Sequence, residues 1–249
     1  MKKVVITGAS QGIGQAIAQK FLDQHYEVHN ISRQVPQYTH AHLHHWQADM
    51  LQYKQLKSVI EQIGRFDILI NNAGYMNTLT ASSYTWDELY NIMNVNLIHT
   101  MQLSIDVAEN VFKTQQSGRI ISIASIAGQI GHPDIWYGIS KAGLMNGMRS
   151  LARSHAQYHI QTFSIAPGPV ETQMMQKIPI ERQKRLKEAT LNQQFCQAQE
   201  IADMAFWLAD AAPNCLSGEV FDLNNGDKAN VAAIAAAKKR GEKVYIFPG

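Results

Sequence analysis

The chain has 249 residues, 45% of them hydrophobic and 17% charged, enough to build a substantial buried core. Its 22 basic side chains nearly balance 20 acidic ones, so no strong field favours nucleic acid or an anionic membrane as partner. Two cysteines exclude a disulfide framework, and the apolar runs are too short for a membrane span or a signal peptide. These features predict a cytoplasmic protein that binds small molecules.

Apolar, strand-like runs alternate with amphipathic helical segments along the chain. Examples are KVVIT at residues 3–7, FDILINNAG at 66–74 and GRIISIAS at 118–125. Their hydrophobicity is continuous rather than alternating, as in strands covered on both faces, so the order predicts parallel βαβ units. Neither linker nor repeat interrupts residues 1–226, which we predict to be one domain. We interpret residues 227–249 as a C-terminal tail, either a short helix with a terminal strand or an arm onto another subunit.

The first strand leads into a glycine-rich turn and an amphipathic helix, in VVITGASQGIGQAIA at residues 4–18. Glycines at positions 8, 12 and 14 allow a tight turn and let the backbone approach a pyrophosphate at the helix N-terminus. The spacing is G-x-x-x-G-x-G rather than the general dinucleotide pattern. The segment therefore predicts a phosphate-binding turn of a particular family.

The stretch between residues 33 and 49 contains a proline and has no helical period, so no crossover helix is predicted there. If the stretch is extended, His40, His42 and His44 share one face, and His45 is adjacent in sequence. A metal site is conceivable, but no carboxylate or thiol lies at suitable spacing. We favour a polar strand edge and predict no metal.

YGISK, residues 137–141, places a tyrosine and a lysine four positions apart. On a helix, Tyr137 and Lys141 would project from the same face. A cation beside a phenol favours the phenolate and lowers its pKa, which would suit acid–base chemistry. Taken alone, the pair could equally be an ordinary surface pair.

Several separated motifs resemble the short-chain dehydrogenase/reductase family in its compact form. They are Thr7–Gly14, NNAG at 71–74, Ser125, and Tyr137 with Lys141. The resemblance covers residues 3–226 and is closest to NADP-preferring carbonyl reductases such as 3-oxoacyl-[acyl-carrier-protein] reductases. It implies an α/β, doubly wound Rossmann fold with a seven-stranded parallel sheet and helices on both faces. It also implies a nicotinamide cofactor and a homo-oligomer, a tetramer or dimer.

The resemblance assigns four catalytic positions. Tyr137 would be the general acid, and Lys141 would lower the tyrosine pKa and bond the nicotinamide ribose. Ser125 would hold the substrate oxygen. Asn96 would hold a water that links Lys141 to solvent.

Two of these assignments have rivals in the sequence. Asn94 lies too close to Asn96 to be excluded by pattern alone, and Ser122 precedes the same turn as Ser125. An asparagine inside a helix and a serine at a strand end also often bond local backbone, so a structural role stays an alternative for Asn96 and Ser125.

The second strand indicates which nicotinamide nucleotide binds. No acidic residue lies between residues 28 and 48, whereas Arg33, with Ser32 beside it, offers donors suited to a 2′-phosphate. This favours NADP(H), although Gln11 stands where many relatives have a second basic residue. A solvated Arg33 and a helix-capping Asp49 are the alternatives. The predicted cofactor contacts are Thr7, Gly8, Ser10, Gln11, Gly12, Ile13, Gly14, Ser32, Arg33, Asp49, Met50, Asn72, Ala73, Gly74, Tyr137, Lys141, Pro167, Gly168, Val170 and Thr172.

Substrate specificity in the family lies in the loops around the tyrosine, where an apolar pocket is expected. The basic run at 180–188 would suit an acidic acyl carrier protein, or be a solvated helix face. We predict an NADP-dependent reductase of a small-molecule ketone, with a β-ketoacyl thioester as first candidate. The alternative is a catalytically silent NADP-binding sensor or structural subunit. Candidate substrate contacts are Met76, His132, Trp136, Met174 and Ile178.

Overall fold

The computed structural model describes residues 1–77, 81–172, 175 and 180–226, apart from the side chains of residues 81, 182 and 185. The predicted tail at 227–249 and the predicted substrate residues Met174 and Ile178 lie outside these described residues.

Seven parallel strands form one sheet in the order β3-β2-β1-β4-β5-β6-β7. This arrangement, with helices on both faces, confirms the predicted doubly wound α/β fold. The strands are β1 (Lys3–Thr7), β2 (Glu27–Ser32), β3 (Leu43–Gln47), β4 (Ile68–Asn71), β5 (Gly118–Ile123), β6 (Ile160–Pro167) and β7 (Val220–Leu223).

The described helices connect and cover the strands. The α-helices are α1 (Gly12–Asp23), α2 (Tyr53–Ile63), α3 (Trp86–Met93), α4 (His99–Val107), α5 (Lys113–Gln115), α6 (Ala127–Ile130), α7 (Ile135–His155), α8 (Ile180–Glu188) and α9 (Ala198–Asp210). Two π-helical segments, Asn94–Ile98 and Ala108–Phe112, join α3, α4 and α5. Short 3₁₀ turns occupy Ala81–Ser83, Ala156–Tyr158 and Asn214–Leu216.

Strand β1 shows why the runs are continuously apolar. Val4 and Ile6 pack into the core beneath α1 and α9, whereas Val5 between them packs against the layer that includes α2, α4 and α7. All three side chains are fully buried. Each strand residue therefore has a helix to face whichever way it points, as expected when a parallel sheet is covered on both sides.

The connection from β2 to β3 contains no helix, as predicted. The predicted histidine face is wrong, because β3 begins only at Leu43. His40 and His42 precede the strand, where the His42 N–H donates to His40 Nδ1 at 3.1 Å. His44 and His45 are neighbours within β3 and point to opposite faces.

Strand pairing brings His44 beside His29 and Glu27 of β2, an adjacency that sequence spacing could not show. Their ligand-type atoms lie within 4.8 Å of one another. However, the Trp46 indole N–H donates to His29 Nδ1 at 3.0 Å. Because indole nitrogen only donates, neutral His29 carries its proton on Nε2, which faces Glu27 Oε1 at 2.9 Å. Hydrogen bonding accounts for this cluster, since Nε2 then offers no lone pair to a metal.

Candidate active site

The glycine turn lies at the carboxyl end of β1, where a doubly wound sheet binds its ligands. Gly8 and Gly12 have φ of 71° and 59°, in the left-handed region that favours glycine. A Cβ on Gly14 would lie 2.3 Å from the Gly8 carbonyl oxygen. The first two glycines set the turn, and the third allows α1 to pack against it.

The N-terminus of α1 is open to an anion. Its N-cap, Gln11, makes no side-chain capping bond, and the first turn contains no acidic residue. The first N–H groups of a helix have no intrahelical acceptor and carry partial positive charge. Beside Gly12, the nearest atom to an added Cβ is Thr172 Cγ2 at 4.0 Å. This turn fits a pyrophosphate between the glycine backbone and the segment that follows β6.

The NNAG segment after β4 holds the glycine turn in place. The Asn72 side chain donates to the carbonyls of Thr7 and Gly8 at 3.0 and 2.9 Å. The backbone N–H groups of Asn72 and Ala73 both donate to Thr7 Oγ1 at 3.1 Å. Thr7 and Asn72 therefore stabilise the glycine turn, and both Asn72 amide hydrogens are engaged in these bonds.

Sequence reasoning missed Tyr38. Its hydroxyl donates to the carbonyl of Ala9 within the glycine turn at 2.8 Å. Asn30, also missed, accepts the Ala9 N–H at 3.0 Å. The only signal was a tyrosine in an otherwise polar stretch, and nothing in its spacing related it to the turn.

Ser32 and Arg33, the two residues at the end of β2 that are predicted to bind a 2′-phosphate, have different surroundings. Ser32 is buried, and its hydroxyl donates to the Gln34 carbonyl at 2.8 Å while accepting from Asn30 Nδ2 at 3.0 Å. The Ser32 hydroxyl is thus engaged within the protein. Arg33 is exposed, so its guanidinium is the donor available at this position.

Two further predicted cofactor contacts, Asp49 and Met50, also have hydrogen-bond partners within the protein. Asp49 Oδ1 accepts the Leu51 N–H at 2.9 Å in a local turn. The N-cap of α2 is Gln52, so the alternative that Asp49 caps this helix is wrong. The carbonyl of Met50 accepts from His99 Nδ1 at 2.7 Å, which ties this loop to α4.

The segment after β6 brings Thr172 beside the glycine turn. Pro167 ends β6, and the Gly168 N–H donates to the Leu223 carbonyl at 2.8 Å. Val170 forms an isolated parallel bridge with Cys196. Thr172 Oγ1 lies 3.5 Å from the Val170 carbonyl oxygen, and its methyl group faces Gly12.

Helix α7 places Tyr137 and Lys141 one turn apart beside the end of β5. Lys141 is buried and donates to the carbonyl of Ile123 at 2.9 Å, with its Nζ 5.8 Å from the centre of the Tyr137 ring. Burial lowers the pKa of Lys141 to about 8. Ser125, just beyond the end of β5, accepts the Ala127 N–H at 3.1 Å, and its side chain lowers the pKa of Tyr137.

The electrostatics around Tyr137 differ from the expected lowering by Lys141. Burial raises the pKa of Tyr137, the hydrogen bond with Ser125 lowers it, and the charge of Asp134 raises it again. The net direction is upward because desolvation of the phenolate is the largest contribution. The expectation of a lowered pKa is therefore wrong for this structure.

Asn96 lies in the first π-helical segment and is buried. Its Oδ1 accepts the Tyr75 N–H at 3.0 Å, and its Nδ2 donates to the Tyr75 carbonyl at 2.8 Å. A Cβ on Gly74 would lie 3.1 Å from Asn96 Oδ1 and 3.3 Å from Lys141 Nζ. Asn96, Lys141 and the loop after β4 thus converge, and π-helical turns are frequent at such sites.

Three of the predicted substrate residues are within the described part of the chain. His132 contacts the Tyr137 ring edge-to-face, with ring centres 5.4 Å apart. Met76 and Trp136 are partly buried, in the loop after β4 and the first turn of α7. His132 is therefore the one placed in contact with the predicted acid.

Comparisons with known proteins agree with this geometry. The model of the short-chain dehydrogenase family matches residues 2–183. The 3-oxoacyl-[acyl-carrier-protein] reductase FabG of Salmonella typhimurium is 30% identical over 236 residues, covering 90% of this chain and 96% of that protein. The Escherichia coli FabG has the same identity and coverage. The chain belongs to the short-chain dehydrogenase family and is an oxidoreductase of that type.

Solved structures show the same fold. A 3-oxoacyl-[acyl-carrier protein] reductase from Brucella melitensis matches with a TM-score of 0.84 at 24% identity, covering 91% of each chain. ElxO with NADP bound matches with a TM-score of 0.82 at 24% identity, covering 92% of this chain and 99% of that one. In the described residues, no helix is long and apolar enough to cross a membrane.

Proposed function

We propose that the protein is an NADP(H)-dependent carbonyl reductase in which Tyr137 is the general acid. The convergence of Ser125, Tyr137 and Lys141 beside a pyrophosphate-fitting glycine turn carries this proposal. When bound, the nicotinamide supplies the hydride. Ser125 holds the carbonyl oxygen, and Tyr137 delivers its hydroxyl proton to that oxygen as the alkoxide forms.

Lys141 and Asn96 shape the site around this proton transfer. Lys141 holds a buried amine against the Ile123 carbonyl, and its proposed role is to bond the ribose of the nicotinamide. Asn96 holds the backbone of Tyr75, in the loop after β4, by two hydrogen bonds. A water chain from Lys141 past Asn96 to solvent is part of the proposal.

NADP(H) rather than NAD(H) is proposed because Arg33 is exposed at the end of β2 and no acidic residue lies between residues 28 and 48 to meet a free ribose hydroxyl. The remaining nucleotide contacts are those predicted from the sequence, with Thr7 and Asn72 bracing the turn from behind.

A β-ketoacyl thioester is the proposed substrate class, because the 30% identical relatives are 3-oxoacyl-[acyl-carrier-protein] reductases. An acyl carrier protein is then the proposed macromolecular partner, and a homo-oligomer the proposed assembly. Neither Cys196 nor Cys215 forms a disulfide, which suits the proposed cytoplasmic location.

The test is nucleotide oxidation by the purified protein with acetoacetyl-coenzyme A, comparing NADPH with NADH and then a wider carbonyl panel. We expect turnover with NADPH, and loss of turnover in Tyr137→Phe with nucleotide affinity retained. Tyr158→Phe, a tyrosine remote from the site, is the matched control. Full reduction by Tyr137→Phe would reject Tyr137 as the acid. Tight NADPH binding without turnover on any carbonyl would favour the silent sensor or structural subunit.

A further inference from the structure

A buried carboxylate lies at the start of the helix that carries the proposed acid. Asp134 is 2% exposed and is the N-cap of α7. Its Oδ1 accepts the Tyr137 N–H at 3.1 Å and the Tyr84 hydroxyl at 2.7 Å. Its Oδ2 is also buried and has no hydrogen-bond partner among the described residues.

Helix capping alone does not require this charge. Asparagine caps a helix about as well as aspartate, with the same oxygen in the same place and no ionic group to bury. A buried carboxylate oxygen without a partner costs free energy, which the helix dipole offsets only in part. The effect of the Asp134 charge therefore depends on the groups around it.

The titratable groups facing this corner come from four segments. Tyr137 and Lys141 lie on α7, and His132, in the loop before it, accepts the Asp134 N–H at 3.1 Å on its Nδ1. Tyr75 lies in the loop after β4, and Tyr84 precedes α3. Burial raises the pKa of Tyr75 and of Tyr84, and the Asp134 charge adds to both effects.

The same charge acts on the proposed acid. After burial, and against the hydrogen bond from Ser125, Asp134 raises the pKa of Tyr137. The Lys141 ammonium donates to the Ile123 carbonyl rather than to the phenol, and burial lowers its pKa to about 8. A Tyr137 phenolate would thus form in the field of a buried carboxylate that accepts the N–H of the same residue at 3.1 Å.

We propose that Asp134 is a positioning residue for reduction, whose negative charge and bond to the Tyr137 backbone hold the Tyr137 hydroxyl in its acid form. The inference rests on the function proposed above. In reduction, the Tyr137 O–H bond breaks and its proton passes to the carbonyl oxygen, as hydride from NADPH reaches the carbonyl carbon. The charge of Asp134 disfavours the resulting phenolate, so it regains a proton readily, and reduction extends to higher pH than it would without the charge.

The discriminating variant is Asp134→Asn, which retains a capping oxygen and an acceptor for Tyr84 but removes the charge. We expect the alkaline limb of kcat/KM for NADPH-dependent reduction to move to lower pH. At a fixed pH within the alkaline limb of the wild type, the activity of the variant, as a fraction of its own plateau, should then be severalfold lower than that of the wild type. Asp106→Asn is the matched control, because Asp106 likewise accepts a tyrosine hydroxyl, that of Tyr53, away from the site. Its limb should stay in place.

A second measurement does not depend on turnover. Ultraviolet titration of tyrosinate in the wild type against Tyr137→Phe isolates the Tyr137 ionisation, and the same subtraction is made in the Asp134→Asn background. A lower midpoint without the carboxylate supports the proposal. An unmoved midpoint, or a uniform loss of activity with an unmoved limb, would show that Asp134 only caps the helix. If no carbonyl is reduced by any form, the proposed function fails, and the titration still decides whether Asp134 acts on Tyr137.

Discussion

Asn96 holds the backbone of Tyr75 by two hydrogen bonds, accepting from its N–H at 3.0 Å and donating to its carbonyl at 2.8 Å. The pair joins the first π-helical segment to the loop after β4, where Gly74 approaches Lys141 Nζ. An amide carries an acceptor oxygen and a donor nitrogen on separate atoms, so it can satisfy a backbone donor and acceptor together. The identity of residue 96 therefore fixes one wall of the proposed site.

Replacing Asn96 with alanine should weaken both stability and turnover. The change leaves a backbone donor and acceptor without their partner, at a cost of about 1–3 kcal/mol per unsatisfied group. Urea unfolding measures the first effect and kcat for reduction the second. Asn94→Ala, in the same π-helical segment but without the Tyr75 bonds, is the control. Equal losses in the two variants would contradict the role assigned to Asn96.

Gly14→Ala should abolish nucleotide binding, because the added methyl would lie 2.3 Å from the Gly8 carbonyl oxygen and 2.4 Å from Asn72 Nδ2. The turn must open to admit it. Fluorescence titration with NADPH measures the affinity. Gly64→Ala is the matched control, since Gly64 has a positive φ of 70° but no atom within 4 Å of an added Cβ. Gly64→Ala should lose some stability through backbone strain and bind NADPH normally.

Arg33→Ala should raise KM for NADPH while leaving KM for NADH nearly unchanged. A lost bond to a charged phosphate costs about 1.5–3 kcal/mol, which corresponds to roughly a tenfold to hundredfold loss of affinity. Steady-state kinetics with both nucleotides provides the comparison. Arg65→Ala, an exposed arginine bonded to Gln115, serves as control. If KM for both nucleotides rose equally, Arg33 would not be reading the 2′-phosphate.

The buried amine of Lys141 should leave a signature in the pH dependence of stability. Burial lowers its pKa from 10.5 to about 8, so between these values the unfolded chain holds a proton that the folded chain has released. The contribution of this group to stability therefore rises with pH across that window and is lowest below it.

Lys141→Met removes the titration while retaining most of the volume. We expect the free energy of unfolding of the wild type, minus that of the variant, to rise by a few kcal/mol from pH 8 to 10.5. Urea unfolding across this range provides the measurement. Lys57→Met, an exposed lysine on α2, is the control. A flat difference for Lys141→Met would show that its amine is not desolvated.

The sequence was most informative where one residue type has few structural uses. Gly8, Gly12 and Gly14 predicted the turn because positive φ and close packing both favour glycine. The continuous apolar runs predicted strands covered on both faces. Both inferences rest on local chemistry, which a linear pattern preserves.

The sequence was least informative where a side chain reaches another element. Tyr38 supports the glycine turn from 29 positions away, and strand register alone brings Glu27 beside His44. The direction of the Tyr137 pKa was misjudged for the same reason. The spacing to Lys141 shows that a cation is near. Only the packing shows that burial raises the pKa of Tyr137 and that Asp134 adds to this effect.

The two π-helical segments between α3 and α5 also determine which changes in chain length this region can accommodate. Ile92 precedes the first of these segments, Phe112 ends the second, and both side chains are fully buried. Twenty residues of uninterrupted α-helix would turn about 200° beyond five full turns, whereas eighteen would complete five turns, and each π-helical turn accommodates one extra residue. Deletion of either extra residue would therefore convert its π-helical turn into an α-helical one and leave the flanking buried residues in register. Loss of a single residue should therefore be tolerated within either segment, without a compensating change in the other.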